Sequence, residues 1–477
     1  MHRVVAFVSI LLAASAVRAD LASDVRTILS NPAIAKAEVG VQIVKLGESR
    51  EKDQTLVAVN PDAKLIPASN LKIITTALAL DALGADFRFR TRFAINGNTD
   101  VALIGDGDPT FGDSEYLDKT GWTSTTVFEH WAAELKKNGV TKVNDVVVDD
   151  SIFDDEFFNP NWPVNQAHLD YVAQVAGVNF NANCLDVYAI RDGSAAGYRF
   201  APTMKYATVT NELTVGSSHS LYLSRVIGSN KIILKGTINA TNRKPFRVTI
   251  DDPPMFAATT LAEVLERQGV HVAGKVKRDR TVRTADASAW KTVAVHETPL
   301  LPMLALTNKD SINLYAESLG KRAAAETSKQ PGSWKGMAAA QAAFMTKVNA
   351  PADDYTFDDG CGLSKENAIA PAAFVATLAY AFHSNHREQY VATMAVGGVD
   401  GTLSNRYKTE KDKPSALAGR VFAKSGSVNG VSTLSGYLKS QTGEWFAFSI
   451  LVNKINDRGA AQRAQDDIVR AIDATTR

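Results

Sequence analysis

From Asn70 to Leu83 the chain runs Asn-Leu-Lys-Ile-Ile-Thr-Thr-Ala-Leu-Ala-Leu-Asp-Ala-Leu, long, apolar and free of Pro and Gly. That pattern predicts a buried helix ending near Gly84. The polar cluster Thr307 to Ser311 predicts a turn, with a helix from about Asn313. Late in the chain, Val421 to Val428, Val431 to Tyr437 and Trp445 to Val452 are apolar-rich runs separated by turn residues such as Gln441-Thr442-Gly443-Glu444, which predicts three strands. Between these regions, Lys142 to Asp150 reads as a strand. Pro254 to Gly269 reads as an amphipathic helix, and Val270 to Val276 as a further strand. Tyr206–Val215, Leu221–Ile227 and Lys231–Ile238 are short β-like runs that suggest a small all-β unit. There is no clear internal repeat and no low-complexity tract.

Composition narrows the class. An apolar content of 45% is ordinary for a globular chain, and 477 residues is too long for one simple core. The N-terminus reads as a secretory signal: basic His2 and Arg3, then an apolar stretch from Val4 to Ala16, about 13 residues and too short for a stable anchor. Val17-Arg18-Ala19 supplies small residues where cleavage needs them, so the mature chain is expected to start at Asp20 and to be periplasmic. Loss of Arg3 and Arg18 takes the formal charge from +1 to −1. Near-neutral charge argues against nucleic acid or an anionic membrane as the main partner, and leaves only weak membrane or homo-oligomer contacts in view.

Three short motifs carry the candidate chemistry. The first is Ser69-Asn70-Leu71-Lys72, at the start of the apolar helix. A serine in the first turn meets free N–H groups and the positive end of the helix dipole, which favour a developing oxyanion. Lys72, three residues on, shares its helix face, and an apolar setting suits a lysine to act as a base toward a hydroxyl. The second is Ser311-Ile312-Asn313: the hydroxyl can relay a proton between Lys72 and a leaving group, and the amide can hold a peptide carbonyl. The third is Lys424-Ser425-Gly426, followed by Ser427, on a strand. Lys424 and Ser425 can bind a carboxylate, and Gly426 lets a ligand backbone approach. The N–H of Ser427 can face that of Ser69 as a second oxyanion donor. Alone, each motif is explained as well by helix capping or an exposed lysine. In this order together, they match the Ser-x-x-Lys, Ser-x-Asn and Lys-[Thr/Ser]-Gly set of the serine acyl-transfer enzymes that penicillin inactivates.

Other candidates explain themselves more simply. Cys184 and Cys361 are far apart in sequence, and two free, largely buried thiols are expected. No Cys or His cluster has metal-ligand spacing, so neither a metal nor any other cofactor is called for. His383-Ser384-Asn385-His386 reads as a solvated helix end. Gly105-Asp106-Gly107-Asp108-Pro109 lacks the ending of a phosphate loop and the spacing of a calcium loop, and reads as a tight turn after a strand.

The chain resembles the penicillin-binding D-alanyl-D-alanine carboxypeptidase/endopeptidase family. Beyond the three motifs, the likeness includes Gly105–Pro109, Asn179-Phe180-Asn181-Ala182-Asn183-Cys184, Asp359-Gly360-Cys361-Gly362-Leu363-Ser364 and Gly398-Val399-Asp400-Gly401-Thr402-Leu403, with the long insert before Ser311. It implies an α+β and α/β multidomain fold. Its catalytic part would be a β-lactamase/transpeptidase-like domain, an antiparallel sheet flanked by helices plus a helical subdomain. That domain would be split over 20–90 and 290–477, with an inserted second domain at 91–185 and 250–289 and a small β-rich third at 186–249. Ser425 stands where Thr is usual, which keeps the hydroxyl, and Cys361 stands where Ser is common.

The resemblance implies a serine hydrolase that cleaves D-Ala–D-Ala or D-Ala–diaminopimelate bonds of peptidoglycan stem peptides through an acyl-enzyme on Ser69, and that β-lactams acylate. Two rivals remain. A β-lactamase would need an efficient deacylating base, and no Glu-x-x-Leu-Asn stands between Asn313 and Lys424. A non-catalytic peptidoglycan-binding scaffold would have no need of Ser69, Lys72 and Lys424 together.

Overall fold

The computed structural model describes residues 21–285, 288–408 and 415–476, with Lys119 described by its backbone alone. The expected signal segment lies outside the described residues. By backbone contacts the chain divides into two compact units. The first holds the described residues through Ala85, then Leu301–Ile312, and Met337 onward. The second holds Asp86–Leu300 and Asn313–Gly336.

The first unit is built on a six-stranded sheet in the order Ala395–Val396, Val421–Val428, Val431–Lys439, Trp445–Asn453, Glu38–Leu46, Gln54–Val59. Every adjacent pair is antiparallel. Val431–Lys439 is buried at every position but its last, because helices cover both faces of the sheet. On one face the helix at 21–29 and the C-terminal helix Arg458–Ala474 pack Leu21, Val25, Ala464, Ile468 and Ile472 against Ile43, Leu434 and Phe448. On the other lies Pro371–Phe382, whose Leu378 carbonyl accepts a hydrogen bond from Tyr437 Oη at 2.7 Å. Leu71–Leu83 packs on that helix, and its residues from Leu71 to Leu80 are all buried. That burial explains why its sequence is apolar all round rather than striped. Gly84, at φ 83°, ends the helix where its sequence signal placed the stop.

The second unit centres on a five-stranded sheet: Val276–Arg278, Val146–Asp149, Val101–Ile104, Arg88–Asn96 and Trp290–Pro299. The first three strands are parallel and the last two join antiparallel. The expected strand over Lys142–Asp150 is broken at Asn144-Asp145, where Asn144 Nδ2 and the Asp145 N–H both donate to Asp100 Oδ1. Val270–Val276 is likewise split, into His271–Val272 and Val276–Arg278. The helix read at Pro254–Gly269 spans Pro253–Arg267.

The three β-like runs form one three-stranded sheet, and Cys184–Asp192, Ala195–Ala201 and Phe246–Thr249, which the pattern did not single out, form a second. Their apolar residues Leu213, Ile232, Leu234 and Ile238 join one core with Phe128 and Trp131 of the Thr126–Lys137 helix and with Phe256 and Leu261 of Pro253–Arg267. The boundary expected near residue 290 moves: Trp290–Pro299 pairs along its length with Arg88–Asn96, so it closes the sheet of the second unit. Asn313–Gly336 also clusters with that unit rather than with the rest of 290–477, because the Asn313–Ser328 helix carries Tyr315, whose hydroxyl donates to Asp113 at 2.7 Å, and Lys321, whose ammonium donates to Asp154 at 2.8 Å.

Candidate active site

Ser69 lies in a single 3-10 turn, Ala68–Asn70, that leads into the α-helix starting at Leu71. It therefore precedes the helix rather than occupying its first turn. Ala68 takes the left-handed conformation at φ 45°, a strained position for alanine. Two glycines make room for this turn. A Cβ on Gly362, itself at φ 82°, would meet the Ala68 carbonyl oxygen at 1.9 Å. A Cβ on Gly426 would stand 2.9 Å from both Asn70 N and the Pro67 oxygen. Asn70 Nδ2 donates to Ser435 Oγ at 2.7 Å, and Thr433 Oγ1 donates to the Pro67 carbonyl at 2.9 Å, which ties the turn to the sheet.

Lys72 is fully buried. Its Nζ donates to Ser69 Oγ at 3.0 Å and to the Cys361 carbonyl at 2.9 Å. The loop that supplies this carbonyl is held by one carboxylate: Asp359 accepts from the N–H groups of Gly362 and Ser364, each at 2.7 Å, and from Asn367 Nδ2 at 2.8 Å. Cys361 thus reaches Lys72 through its backbone. Both cysteines are free and buried, as their spacing suggested.

Ser311 also sits at a positive φ, 63°. Lys424 Nζ donates to its Oγ at 2.9 Å and to the Ser425 carbonyl at 2.7 Å. Burial, and then the positive charge of Lys72, push the Lys424 ammonium well below the ordinary lysine range, against a smaller opposing pull from Asp310. Ser425 Oγ donates to Thr402 Oγ1 at 2.9 Å.

Ser69, Ser311, Ser425, Gly426 and Ser427 all line one cavity of about 350 Å³. The walls add Thr402, Arg406, Arg458 and Gln462, none of which the motif reading singled out. Thr402 lay within the quoted Gly398–Leu403 run, whereas a cavity-facing Arg458 has no local signal. Asn313 opens the Asn313–Ser328 helix in the second unit, where its Nδ2 donates to the Tyr171 carbonyl at 2.8 Å.

Residues 21–475 match the sequence model of the D-Ala-D-Ala carboxypeptidase 3 (S13) family. The chain belongs to that family. It is 29% identical to a D-alanyl-D-alanine carboxypeptidase of Actinomadura sp., over 94% of this chain and 84% of the relative. It is 26% identical to the D-alanyl-D-alanine carboxypeptidase DacB of Haemophilus influenzae, over 88% and 86%. In fold it is similar to the crystal structure of penicillin-binding protein 4 from Haemophilus influenzae, with a TM-score of 0.75 at 24% identity, covering 94% of this chain and 98% of the other. As an S13 enzyme the protein is a serine-type D-Ala-D-Ala carboxypeptidase, a reading favoured over the β-lactamase and the scaffold.

Two other sequence features of this S13 enzyme acquire partners in the fold. Gly105–Pro109 directly follows the Val101–Ile104 strand and is buried: Gly107 N donates to the Gly177 carbonyl at 2.9 Å, and Asp106 accepts from Arg90 N at 3.0 Å and Arg322 Nε at 3.3 Å. Burial raises the Asp106 carboxyl above its ordinary range in spite of those partners. The helix end at His383 is not simply solvated either, since His383 Nε2 lies 3.0 Å from Asp53.

Proposed function

We propose that this chain is a periplasmic D-Ala-D-Ala carboxypeptidase and D,D-endopeptidase of peptidoglycan stem peptides, with Ser69 as nucleophile and Lys72 as its base. The observation that carries the assignment is the 3.0 Å hydrogen bond between Lys72 Nζ and Ser69 Oγ at the wall of the cavity. A neutral Lys72 takes the hydroxyl proton as Ser69 Oγ bonds to the carbonyl carbon of the scissile amide. The N–H groups of Ser69 and Ser427 hold the oxyanion. Ser311, next to Lys424, relays a proton to the departing amine as the C–N bond breaks. Water then adds to the ester carbonyl, gives up a proton along the same path, and regenerates Ser69. Ser425 and Gly426, on the cavity wall, receive the terminal residue of the substrate.

β-Lactams enter the same cycle. A β-lactam amide imitates the acyl-D-Ala–D-Ala end, and its ring-opened product stays tethered, which blocks the water step. The β-rich stretch 186–249 contributes no cavity residue, and we assign it to positioning polymeric substrate. The test is incubation of purified protein with defined pentapeptide and cross-linked muropeptides. Release of D-Ala and of monomers from dimers is the expected result. Intact substrates of both kinds would overturn the assignment.

A further inference from the structure

A substrate that ends in a free carboxylate brings a full negative charge into the cavity. The lysines of the motifs are poorly placed to balance it. Lys72 and Lys424 are both fully buried, and Lys424 already gives hydrogen bonds to Ser311 Oγ and the Ser425 carbonyl. The Ser425 hydroxyl gives its proton to Thr402. Burial also disfavours the charged form of the Lys424 side chain. The charge has to be met from another wall.

Two arginines are among the residues that line that cavity, Arg406 and Arg458. Arg406 is committed: its Nε donates to Asp466 at 3.0 Å and its Nη2 to the Gln462 carbonyl at 3.4 Å. Arg458 is exposed, and among the described residues no acidic side chain pairs with it. Its neighbour Asp457 instead faces Arg463, at 3.6 Å. Arg458 is the first residue of the Arg458–Ala474 helix, and Gln462, one turn on, lines the same cavity.

We propose that Arg458 is a substrate-binding residue that receives the C-terminal carboxylate, and that it sets the preference of this enzyme for substrates ending in a free carboxyl group. The proposal rests on the acyl-transfer reading of the cavity. A guanidinium suits the task because its planar fork meets both carboxylate oxygens and stays charged at any working pH. Ser425 and Ser427 then orient the terminal residue while Arg458 supplies the charge.

The experiment compares kcat/KM for a peptide ending in D-Ala–D-Ala with that for its C-terminal amide, in wild type, Arg458→Ala and Arg458→Lys, with melting temperatures as the check on folding. Wild type should prefer the carboxylate, and the preference should stay flat between about pH 7 and pH 10, since arginine does not titrate there. Arg458→Ala should lower the carboxylate-to-amide ratio by about tenfold or more, mainly through KM, and Arg458→Lys should restore part of it. A ratio within about twofold of wild type in folded Arg458→Ala would overturn the proposal. So would a wild-type preference that decays with rising pH, which would mark a lysine as the charge. A wild type that cleaves neither peptide and takes no penicillin would remove the acyl-transfer reading itself, a result separable from the others.

Discussion

Lys72 Nζ stands 3.0 Å from Ser69 Oγ, and its second partner is the Cys361 backbone carbonyl at 2.9 Å. These two hydrogen bonds hold the buried Lys72 nitrogen beside the Ser69 hydroxyl, the placement that the proposed role of base requires. Lys72→Arg keeps a donor but cannot supply a neutral base. The variant should fold and lose about 10²-fold or more in its rate of acylation by penicillin. Near-normal acylation in the folded variant would remove Lys72 from the role of base.

Penicillin should acylate Ser69 itself. Brief incubation should raise the intact mass by one penicillin, with the label mapping to the peptide that holds Ser69-Asn70-Leu71-Lys72. Ser69→Ala should abolish the adduct at a stability cost of about 1 kcal/mol, the worth of one hydrogen bond. A label on another serine, or rapid turnover of the antibiotic, would contradict the assignment.

Lys424 should make stability depend on pH with a definite sign. Its folded pKa lies below the ordinary value of 10.5, so between the two the unfolded chain binds more protons than the folded one. Stability contributed by this group therefore rises with pH through that window, by at most about 1.4 kcal/mol per pH unit. Urea unfolding of wild type and Lys424→Met from about pH 7 to pH 10 reads it. Wild type should gain on the variant as pH rises, and a constant difference would show that Lys424 titrates normally.

Gly362 offers a way to disturb the turn that holds Ser69 without touching Ser69 itself. At φ 82° and with a would-be Cβ 1.9 Å from the Ala68 oxygen, Gly362→Ala cannot fit unless the Ala68–Asn70 turn moves. Both the melting temperature and the acylation rate should fall. Retention of normal acylation would mean that the turn tolerates displacement.

Leu234 tests the independence of the β-rich stretch. It is fully buried in the core shared with Phe128 and Phe256, so Leu234→Ala should cost about 2–5 kcal/mol. Every cavity residue belongs to the first unit, so the acylation rate well below the melting temperature should hold. A parallel loss of acylation would show that this core reaches the chemistry.

The order and type of the main elements were legible in the chain. Leu71–Leu83 and the strands from Val421 to Asn453 follow from local apolar patterning, and Gly84 marks its own helix stop through a conformation that other residues resist. The three motifs were legible for the same reason, since each is a few adjacent residues whose chemistry depends on local spacing. Tertiary structure decided the rest. The burial of Gly105–Pro109 depends on partners such as Arg322, far along the chain. Trp290–Pro299 joins the second unit because Arg88–Asn96 offers it a free edge. Cys361 acts through its carbonyl, and Arg458 faces the cavity, because distant segments fold beside them. Periodicity records which face of an element is buried, but not which partner buries it, and a backbone carbonyl leaves no trace in residue type at all.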